Sequence, residues 1–122
     1  QSCSGCTSTN KVGNLGGSSN GVVTLSNIRT SQATQVVRFD YINCDVGYMG
    51  GSTNERVASV SVNGGAAKTV SFPLSGYNWD KDVLKSYAVE LSGFSTTGTN
   101  SIVIKGSGAT YAPDIDRVGF IA

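Results

Sequence analysis

Histidine is absent from the chain, and cysteine, proline, methionine and tryptophan are scarce. Without an imidazole, the Ser-His-Asp and Cys-His arrangements that activate a nucleophile are excluded. Zinc sites of the usual Cys/His type are not expected, because the three cysteines would have to act with carboxylates alone. The stretches GNLGG and GYMGG lack the pattern of a phosphate-binding or dinucleotide-binding loop and are interpreted as turns. Catalysis by a pair of carboxyl groups is the mechanism that this composition does not exclude.

Charge and long apolar runs are also sparse. Nine basic and eight acidic residues give a net charge of +1, and the basic residues form no run or stripe. This distribution argues against nucleic acid or a membrane surface as a partner. No apolar run approaches the roughly 20 residues that span a bilayer, and the opening QSCSGC lacks the apolar core of a signal peptide. We therefore expect a soluble, already processed, monomeric fragment.

What the chain does have is alternation of apolar and polar residues. In VVRFDY, Val37, Phe39 and Tyr41 alternate with more polar neighbours, the pattern of a half-buried strand. The Asn63-Gly64-Gly65 stretch tolerates positive φ and predicts a tight hairpin between two such runs. Further alternating segments are GVVTLSN (21–27), RVASVSVN (56–63), AKTVSF (67–72), SYAVEL (86–91), NSIVIK (100–105) and IDRVGFIA (115–122). The pattern predicts an all-β sandwich of seven or eight short strands.

The length of 122 residues suits one compact domain with one core. We expect residues 1–122 to form that single domain, with residues 1–10 as a loosely packed lead-in or linker remnant. Cys3 and Cys6 form a C-x-x-C pair in this lead-in, and no helical pattern follows to give it redox character. A small structural disulfide is favoured, which agrees with secretion into an oxidising compartment. Cys44 is then the odd thiol.

The stretch GYNWDKD (76–82) combines the single tryptophan with three oxygen-bearing side chains. Asn78, Asp80 and Asp82 at alternate positions resemble the start of a calcium loop. They are equally typical of a turn in which the side chains bond the nearby backbone. Trp79 stands outside any alternating strand pattern, so we expect one exposed ring face, suited to stacking on a sugar.

Two further loops carry candidate ligand-binding residues. The connection 43–56 is long, polar and glycine-rich, and it contains Tyr48 and Arg56. Arg56 could contact sugar hydroxyls or instead form an ion pair with Glu55 or an Asp. The stretch 108–118 carries Tyr111 and Asp114 near Pro113, and an ordinary turn with a packed tyrosine explains it equally well.

An ordered set of segments resembles a family 35 carbohydrate-binding module. These are VRFDYIN, ASVSVNGG, TVSFPLSGYNW, VELSGFSTTGTNSIVIKG and APDIDRVGF, which span roughly residues 12–122. More narrowly, the chain is similar to the module of fungal family 43 exo-β-1,3-galactanases. The resemblance implies a jelly roll of two antiparallel sheets, a noncatalytic role, a sugar site among loops at one end, and calcium in many members.

The resemblance also implies roles for particular residues. Asp114 in APDID matches the residue that relatives present to sugar hydroxyls, and Asp116 matches an acid that helps to hold calcium. Trp79 falls where relatives carry a loop tryptophan that meets the ligand, and Tyr48 and Tyr111 follow from their loops. The chain departs from these relatives at QSCSGCTSTN, where they carry an acidic strand that supplies calcium ligands.

The expected function is binding of β-1,3-galactan or another galactose-containing polysaccharide, with the module targeting an attached glycoside hydrolase. Calcium is the expected cofactor, with Asn78, Asp80, Asp82 and Asp116 as its candidate ligands. Two alternatives remain from other classes. One is a small glycosidase that uses two of the eight acids, and the other is an adhesive β-sandwich whose loops contact protein.

Overall fold

The computed structural model describes residues 1–16, 20–46, 55–107 and 111–120, which form β-strands and no helix. Within these ranges, no helical segment is available that could cross a membrane. The strands are β1 (Val22–Ile28), β2 (Thr34–Ile42), β3 (Arg56–Val62), β4 (Lys68–Phe72), β5 (Leu84–Ser92), β6 (Asn100–Gly106) and β7 (Asp114–Phe120). The all-β prediction is therefore confirmed.

The strands form two antiparallel sheets. One has the order β1-β6-β3-β4 and the other the order β5-β2-β7. Strand β2 is central, pairing with β5 from Thr34 to Tyr41 and with β7 from Val37 to Ile42. This two-sheet arrangement agrees with the predicted sandwich.

The core lies between the two sheets because alternate residues of each strand face inward. Val37, Phe39 and Tyr41 of β2 are fully buried, as the period-two pattern predicted. Phe72 of β4 meets Phe39 and Tyr41 edge to face, with ring centroids 5.4 and 5.0 Å apart. Burying a side chain such as Phe72 stabilises the fold by about 1.5–3 kcal/mol, so these aromatic contacts fix how the sheets face each other.

The predicted hairpin joins β3 and β4. Asn63 and Gly64 have φ angles of 53° and 70°, and the Gly65 N–H donates to the Val62 carbonyl at 2.9 Å. Left-handed backbone of this kind is accessible to asparagine and glycine at low steric cost. The prediction of a tight turn at Asn63-Gly64-Gly65 is confirmed.

The opposite end of the sandwich gathers several loops. Strands β2 and β4 end there, and the Ser75 N–H donates to the Asn43 carbonyl at 2.9 Å to join their following loops. The Ala112 N–H donates to the Leu15 carbonyl at 2.8 Å, which brings the segment before β7 to the same end. Three stretches that are far apart in sequence therefore meet at what we call the loop end.

Residues 1–10, predicted to be a loosely packed lead-in or linker remnant, are anchored to the loop end at several points. Cys3 and Cys6 are joined by a disulfide and are 1% and 7% exposed. They pack with Ile42 at the end of β2. The Gly5 N–H donates to the Asp80 carbonyl at 2.9 Å. The segment is part of the loop end because its disulfide supplies apolar surface and its backbone finds partners there.

Candidate functional site

An open pocket of about 290 Å³ lies at the loop end. Its volume is near the lower limit for ligand pockets, which fits a small polar ligand such as one sugar ring. The pocket brings together residues that precede β1, the first residue of β3, a residue of the 76–82 turn and residues at or just before the start of β7. Its lining residues are Gln1, Lys11, Asn14, Arg56, Trp79, Tyr111 and Asp114.

The 76–82 turn that carries Trp79 is held by its own polar side chains. Asp82 Oδ2 accepts hydrogen bonds from the backbone N–H groups of Tyr77 and Asn78 at 2.9 and 3.0 Å. Asn78 Oδ1 accepts from the Asp80 N–H at 2.8 Å. These are the local bonds by which Asx side chains stabilise turns. The turn-forming alternative therefore describes Asn78 and Asp82, whereas Asp80 gives the turn only its backbone N–H.

Two of the carboxylates predicted to bind calcium, those of Asp80 and Asp116, accept hydrogen bonds from residues 1–10, which we call the N-terminal segment. Asp80 accepts hydrogen bonds from the Ser4 N–H at 3.0 Å and from the Ser4 hydroxyl at 2.6 Å. Asp116 accepts from the Thr7 N–H at 3.0 Å and from the Thr7 hydroxyl at 3.3 Å. Each carboxylate thus faces protein donors rather than the other acid.

The residues predicted to bind calcium, Asn78, Asp80, Asp82 and Asp116, do not fit that ion. Calcium requires six to eight converging oxygens, whereas these oxygens accept bonds from N–H and O–H groups at separate places. In the described ranges, no group of three or more Asp, Glu, His or Cys side chains could hold a metal. Spacing in sequence does not show where an exposed side chain turns, so the sequence did not reveal these hydrogen-bond partners.

Trp79 is half-buried and lies between the pocket and a small apolar cluster. It packs against the cluster of Cys3, Cys6 and Ile42. The Arg56 guanidinium lies 4.8 Å from the ring centroid, within the range of a cation–π contact. The ring is therefore neither sealed in the core nor freely exposed, and part of its surface lines the pocket.

Arg56 is fixed at the start of β3 by several partners. Its Nε donates to Asp45 Oδ2 at 2.8 Å, and Nη2 forms an ion pair with the same oxygen. Its Nη1 donates to the Ala112 carbonyl at 2.9 Å. The guanidinium also lies 5.9 Å from the Tyr111 ring centroid. Of the two possibilities raised for Arg56, an ion pair with an Asp is present, and the paired guanidinium lies within 6 Å of two aromatic ring centroids.

Lys11 is a pocket residue that the sequence analysis did not identify. Its ammonium is 2.8 Å from Asp114 Oδ2 and donates to the Trp79 carbonyl at 2.5 Å. The side chains of Lys11 and Asp114 are 6% and 10% exposed. A lysine in a polar N-terminal stretch carries no signal of burial, so only the folded chain reveals this contact.

Asn43 is a second residue near the pocket that no sequence pattern indicated. It is fully buried, its Nδ2 donates to the Phe72 carbonyl at 3.0 Å, and its Oδ1 accepts from the Asp45 N–H at 3.1 Å. Buried amides must be hydrogen-bonded in this way to be tolerated. Asn43 therefore sets the position of Asp45, which in turn holds Arg56.

The predicted sugar-binding residues divide into two groups. Arg56, Trp79, Tyr111 and Asp114 line one pocket, although they come from three separate stretches of sequence. Tyr111 pairs with Gly16 in an isolated β-bridge, which fixes its backbone at the pocket edge. Tyr48 lies outside the described residues.

Three ionisable groups have shifted pKa values, two of them near the loop end and one in the core between the sheets. Hydrogen bonds from the Ser4 hydroxyl and Ser4 N–H lower the pKa of the exposed Asp80 carboxyl. Burial raises the pKa of the Cys44 thiol, against the opposing effect of a hydrogen bond with Ser75. Burial also raises the pKa of Tyr41, whose hydroxyl donates to the Pro73 carbonyl at 2.9 Å. Neither Cys44 nor Tyr41 is therefore prepared to ionise near neutral pH.

The pocket is polar, has aromatic walls and lies among loops at one end of a two-sheet sandwich. No protein-family model and no curated sequence matches the chain. A family 35 carbohydrate-binding module from Clostridium thermocellum matches with a TM-score of 0.82 and 26% identity, over 100% of this chain and 85% of that one. The chain is therefore similar in fold and sequence to the family 35 carbohydrate-binding modules, which confirms the predicted resemblance and supports a noncatalytic sugar-binding module.

The chain is also similar to part of a larger enzyme. The exo-β-1,3-galactanase of Phanerochaete chrysosporium, solved with galactose, matches with a TM-score of 0.81 and 32% identity over 99% of this chain. The chain spans only 25% of that enzyme's length. A family 35 module from Paenibacillus barcinonensis, with a TM-score of 0.71 and 18% identity, shares the fold.

Proposed function

We propose that the module binds galactose-containing polysaccharide, with β-1,3-galactan as the favoured ligand. The observation that carries this proposal is the convergence of Trp79, Tyr111, Arg56 and Asp114 on one pocket of about 290 Å³. The choice of galactan is supported by 32% identity to a galactanase whose structures contain galactose and β-1,3-galactotriose. Secretion and a monomeric state belong to the same proposal.

The chemistry of the pocket suits a neutral sugar. Sugar rings have apolar C–H faces, which stack on aromatic rings, and hydroxyl edges, which need both donors and acceptors. Trp79 and Tyr111 supply the rings, while Asn14 and Asp114 supply polar groups. The charges are balanced, because Lys11 pairs with Asp114 and Arg56 pairs with Asp45. A neutral hydroxylated ligand therefore meets charged side chains that are already paired.

The same ion pairs weigh against the alternative of a small glycosidase. A glycosidase needs one carboxyl group to protonate the leaving oxygen and a second facing the sugar ring. At this pocket, Asp114 and Asp45 are instead engaged by Lys11 and Arg56. We therefore propose that the module itself is noncatalytic.

In the parent protein, the module would act by keeping an attached glycoside hydrolase near its substrate. Tethering converts later encounters into intramolecular ones, so even weak binding raises the effective concentration of substrate by a large factor. The galactanase match, in which the matching region is 25% of a longer enzyme, supports this arrangement. None of the structures compared above is described as an adhesive protein.

The proposal is tested by affinity electrophoresis of the purified module in gels containing galactan, xylan or mannan. We expect retardation in galactan and loss of retardation in Trp79→Ala. Trp79 is half-buried, so we expect this variant to lose about 1–2 kcal/mol of stability, less than the 3–5 kcal/mol typical of a buried tryptophan.

Tyr77→Ala is the matched control, because Tyr77 lies on the same turn, is 80% exposed and does not line the pocket. It should retain retardation. Unchanged mobility of the unmodified module in all three polysaccharides would refute saccharide binding and favour the adhesive alternative. Release of reducing sugar by the purified module, abolished in Asp114→Ala, would favour the glycosidase.

A further inference from the structure

Lys11 is a buried cation at the centre of the loop end. The residue is 8% exposed, and a buried ammonium is tolerated only when it is paired and hydrogen-bonded. Its partners belong to two different elements: Asp114 Oδ2 at the start of β7, at 2.8 Å, and the Trp79 carbonyl in the 76–82 turn, at 2.5 Å. Its ammonium also lies 5.4 Å from the Trp79 ring centroid.

The backbone of Lys11 is fixed independently of its side chain. The Lys11 N–H donates to the Gln1 carbonyl at 2.9 Å. The next residue, Val12, exchanges two backbone hydrogen bonds with Ile115, both at 2.9 Å. The side chain therefore extends from an anchored position, and its ammonium can determine where its partners lie.

We infer that Lys11 is a positioning residue that holds Trp79 and Asp114 in one pocket, an inference that rests on the proposed sugar-binding function. Trp79 lies in the 76–82 turn and Asp114 at the start of β7, two elements that are not consecutive in the chain, and the ammonium bonds to both. Without that ammonium, the Asp114 carboxylate would remain buried without its counter-charge. The Trp79 carbonyl would lose a charge-assisted hydrogen bond. Both groups would then move toward water.

A contact role and a positioning role make different predictions. If Lys11 only contacted sugar, its loss would weaken binding and leave the free module unchanged. If Lys11 positions Trp79, its loss changes the environment of the indole before any sugar is added. Trp79 is the single tryptophan of the chain, so intrinsic fluorescence of the free protein reports on this one ring.

The test compares unmodified protein with Lys11→Met, which keeps the apolar stem and removes the charge. In the absence of sugar, we expect Lys11→Met to emit at longer wavelength and to be quenched more strongly by acrylamide. Its affinity for galactan should fall about tenfold, because one buried carboxylate loses its partner. An unchanged emission spectrum and unchanged quenching in folded Lys11→Met would overturn the inference, even if galactan binding were lost.

Two controls separate positioning from general destabilisation. Lys85→Met makes the same substitution on an exposed part of β5 and should leave fluorescence and affinity unchanged. Val60→Ala weakens the core of β3 away from the pocket, and it should lower stability without changing Trp79 emission. If Val60→Ala reproduced the Lys11→Met spectrum, the effect would be nonspecific and the inference would be refuted.

A third variant covers the possibility that Lys11→Met does not fold. Lys11→Met/Asp114→Asn removes both charges and leaves no buried unpaired carboxylate. The Trp79 carbonyl still lacks the ammonium, so the emission shift should persist, and native emission in this variant would contradict the inference. Fluorescence is measured without sugar, so it decides the role of Lys11 in positioning Trp79 independently of binding. Failure of the unmodified protein and of all variants to bind galactan would refute the proposed function.

Discussion

Trp79 illustrates how one residue belongs both to the packing of the loop end and to its pocket. Its ring packs on the disulfide cluster, and the Arg56 guanidinium lies 4.8 Å from the ring centroid. A ring held in this way loses little further conformational freedom when a ligand arrives, which favours binding. The sequence indicated an exposed stacking face, whereas the structure shows a half-buried ring held by two cations.

The structure gives Asp80 a different partner from the calcium ion that its sequence spacing suggested. Its carboxylate accepts two hydrogen bonds from Ser4, and these lower its pKa below the ordinary value of 3.8. Because the folded pKa is below the unfolded one, this contact stabilises the fold above the unfolded pKa. The contribution disappears as pH falls through the folded pKa. Asp80 is fully exposed, so the effect on stability is small.

A direct titration can measure this contact. In Ser4→Ala, the Asp80 carboxyl loses its hydroxyl partner, and we expect its pKa to rise toward 3.8. Carbon-13 NMR titration of the side-chain carboxyl gives the midpoint in each protein. Ser8→Ala, in the same segment, is the control and should leave the midpoint unchanged. Equal midpoints for Ser4→Ala and the unmodified protein would show that Ser4 does not bind Asp80 in solution.

At the scale of elements, the N-terminal segment is the part whose role the sequence least suggested. It contributes a disulfide to an apolar cluster and donates hydrogen bonds to Asp80 and Asp116. At Gly5 the backbone approaches the carbonyl of Lys81 so closely that a Cβ atom would overlap it. The segment therefore acts as a brace between the 76–82 turn and β7, using hydrogen bonds to satisfy carboxylates that had been predicted to bind calcium.

Removing the disulfide tests this brace. The bond closes a short loop with a sequence separation of 3, for which chain entropy gives about 2 kcal/mol of stabilisation. We expect Cys3→Ala/Cys6→Ala to melt roughly 8 °C lower than the unmodified protein and to show altered Trp79 fluorescence.

Cys44→Ala serves as the control for that experiment, because Cys44 is a free thiol near the same cluster. It should change melting less than the double variant. Equal melting temperatures for the double variant and the unmodified protein would contradict a bracing role for the disulfide.

At the scale of the whole molecule, the two ends of the sandwich differ in the interactions that they contain. At the end opposite the pocket, Asn100 Oδ1 accepts hydrogen bonds from Asn63 Nδ2 and the Ser95 N–H at 2.7 and 2.6 Å. This network connects β6 to two turns, as expected of a structural end. The loop end instead holds two ion pairs and two aromatic rings around an open pocket, so we expect ligand binding there.

The whole-molecule arrangement also predicts how the module responds to a chelator. Because the carboxylates assigned to calcium accept protein hydrogen bonds, we expect EDTA to leave both the melting temperature and the retardation in galactan unchanged. Thermal melting and affinity electrophoresis with and without EDTA measure this. Retardation that EDTA abolishes and added calcium restores would show that the protein does bind the ion for its function.

The sequence by itself determined the fold class and much of the pocket's composition. Period-two alternation depends on residues that are neighbours in the chain, so the core positions of β2 and the turn at Asn63-Gly64 could be predicted locally. The roles proposed for Arg56, Trp79, Tyr111 and Asp114 came partly from family resemblance, and the structure brings these four residues to one pocket.

Only the tertiary structure decided which polar groups face one another. The bonds of Lys11 with Asp114 and Trp79, and of Ser4 with Asp80, join residues separated by 68 or more positions. No local pattern encodes such pairs, because hydrogen bonds and ion pairs depend on distances of a few ångströms between elements that folding brings together. For that reason the sequence did not reveal the protein partners of Asp80 and Asp116 or the contacts of Lys11, which only the folded chain shows.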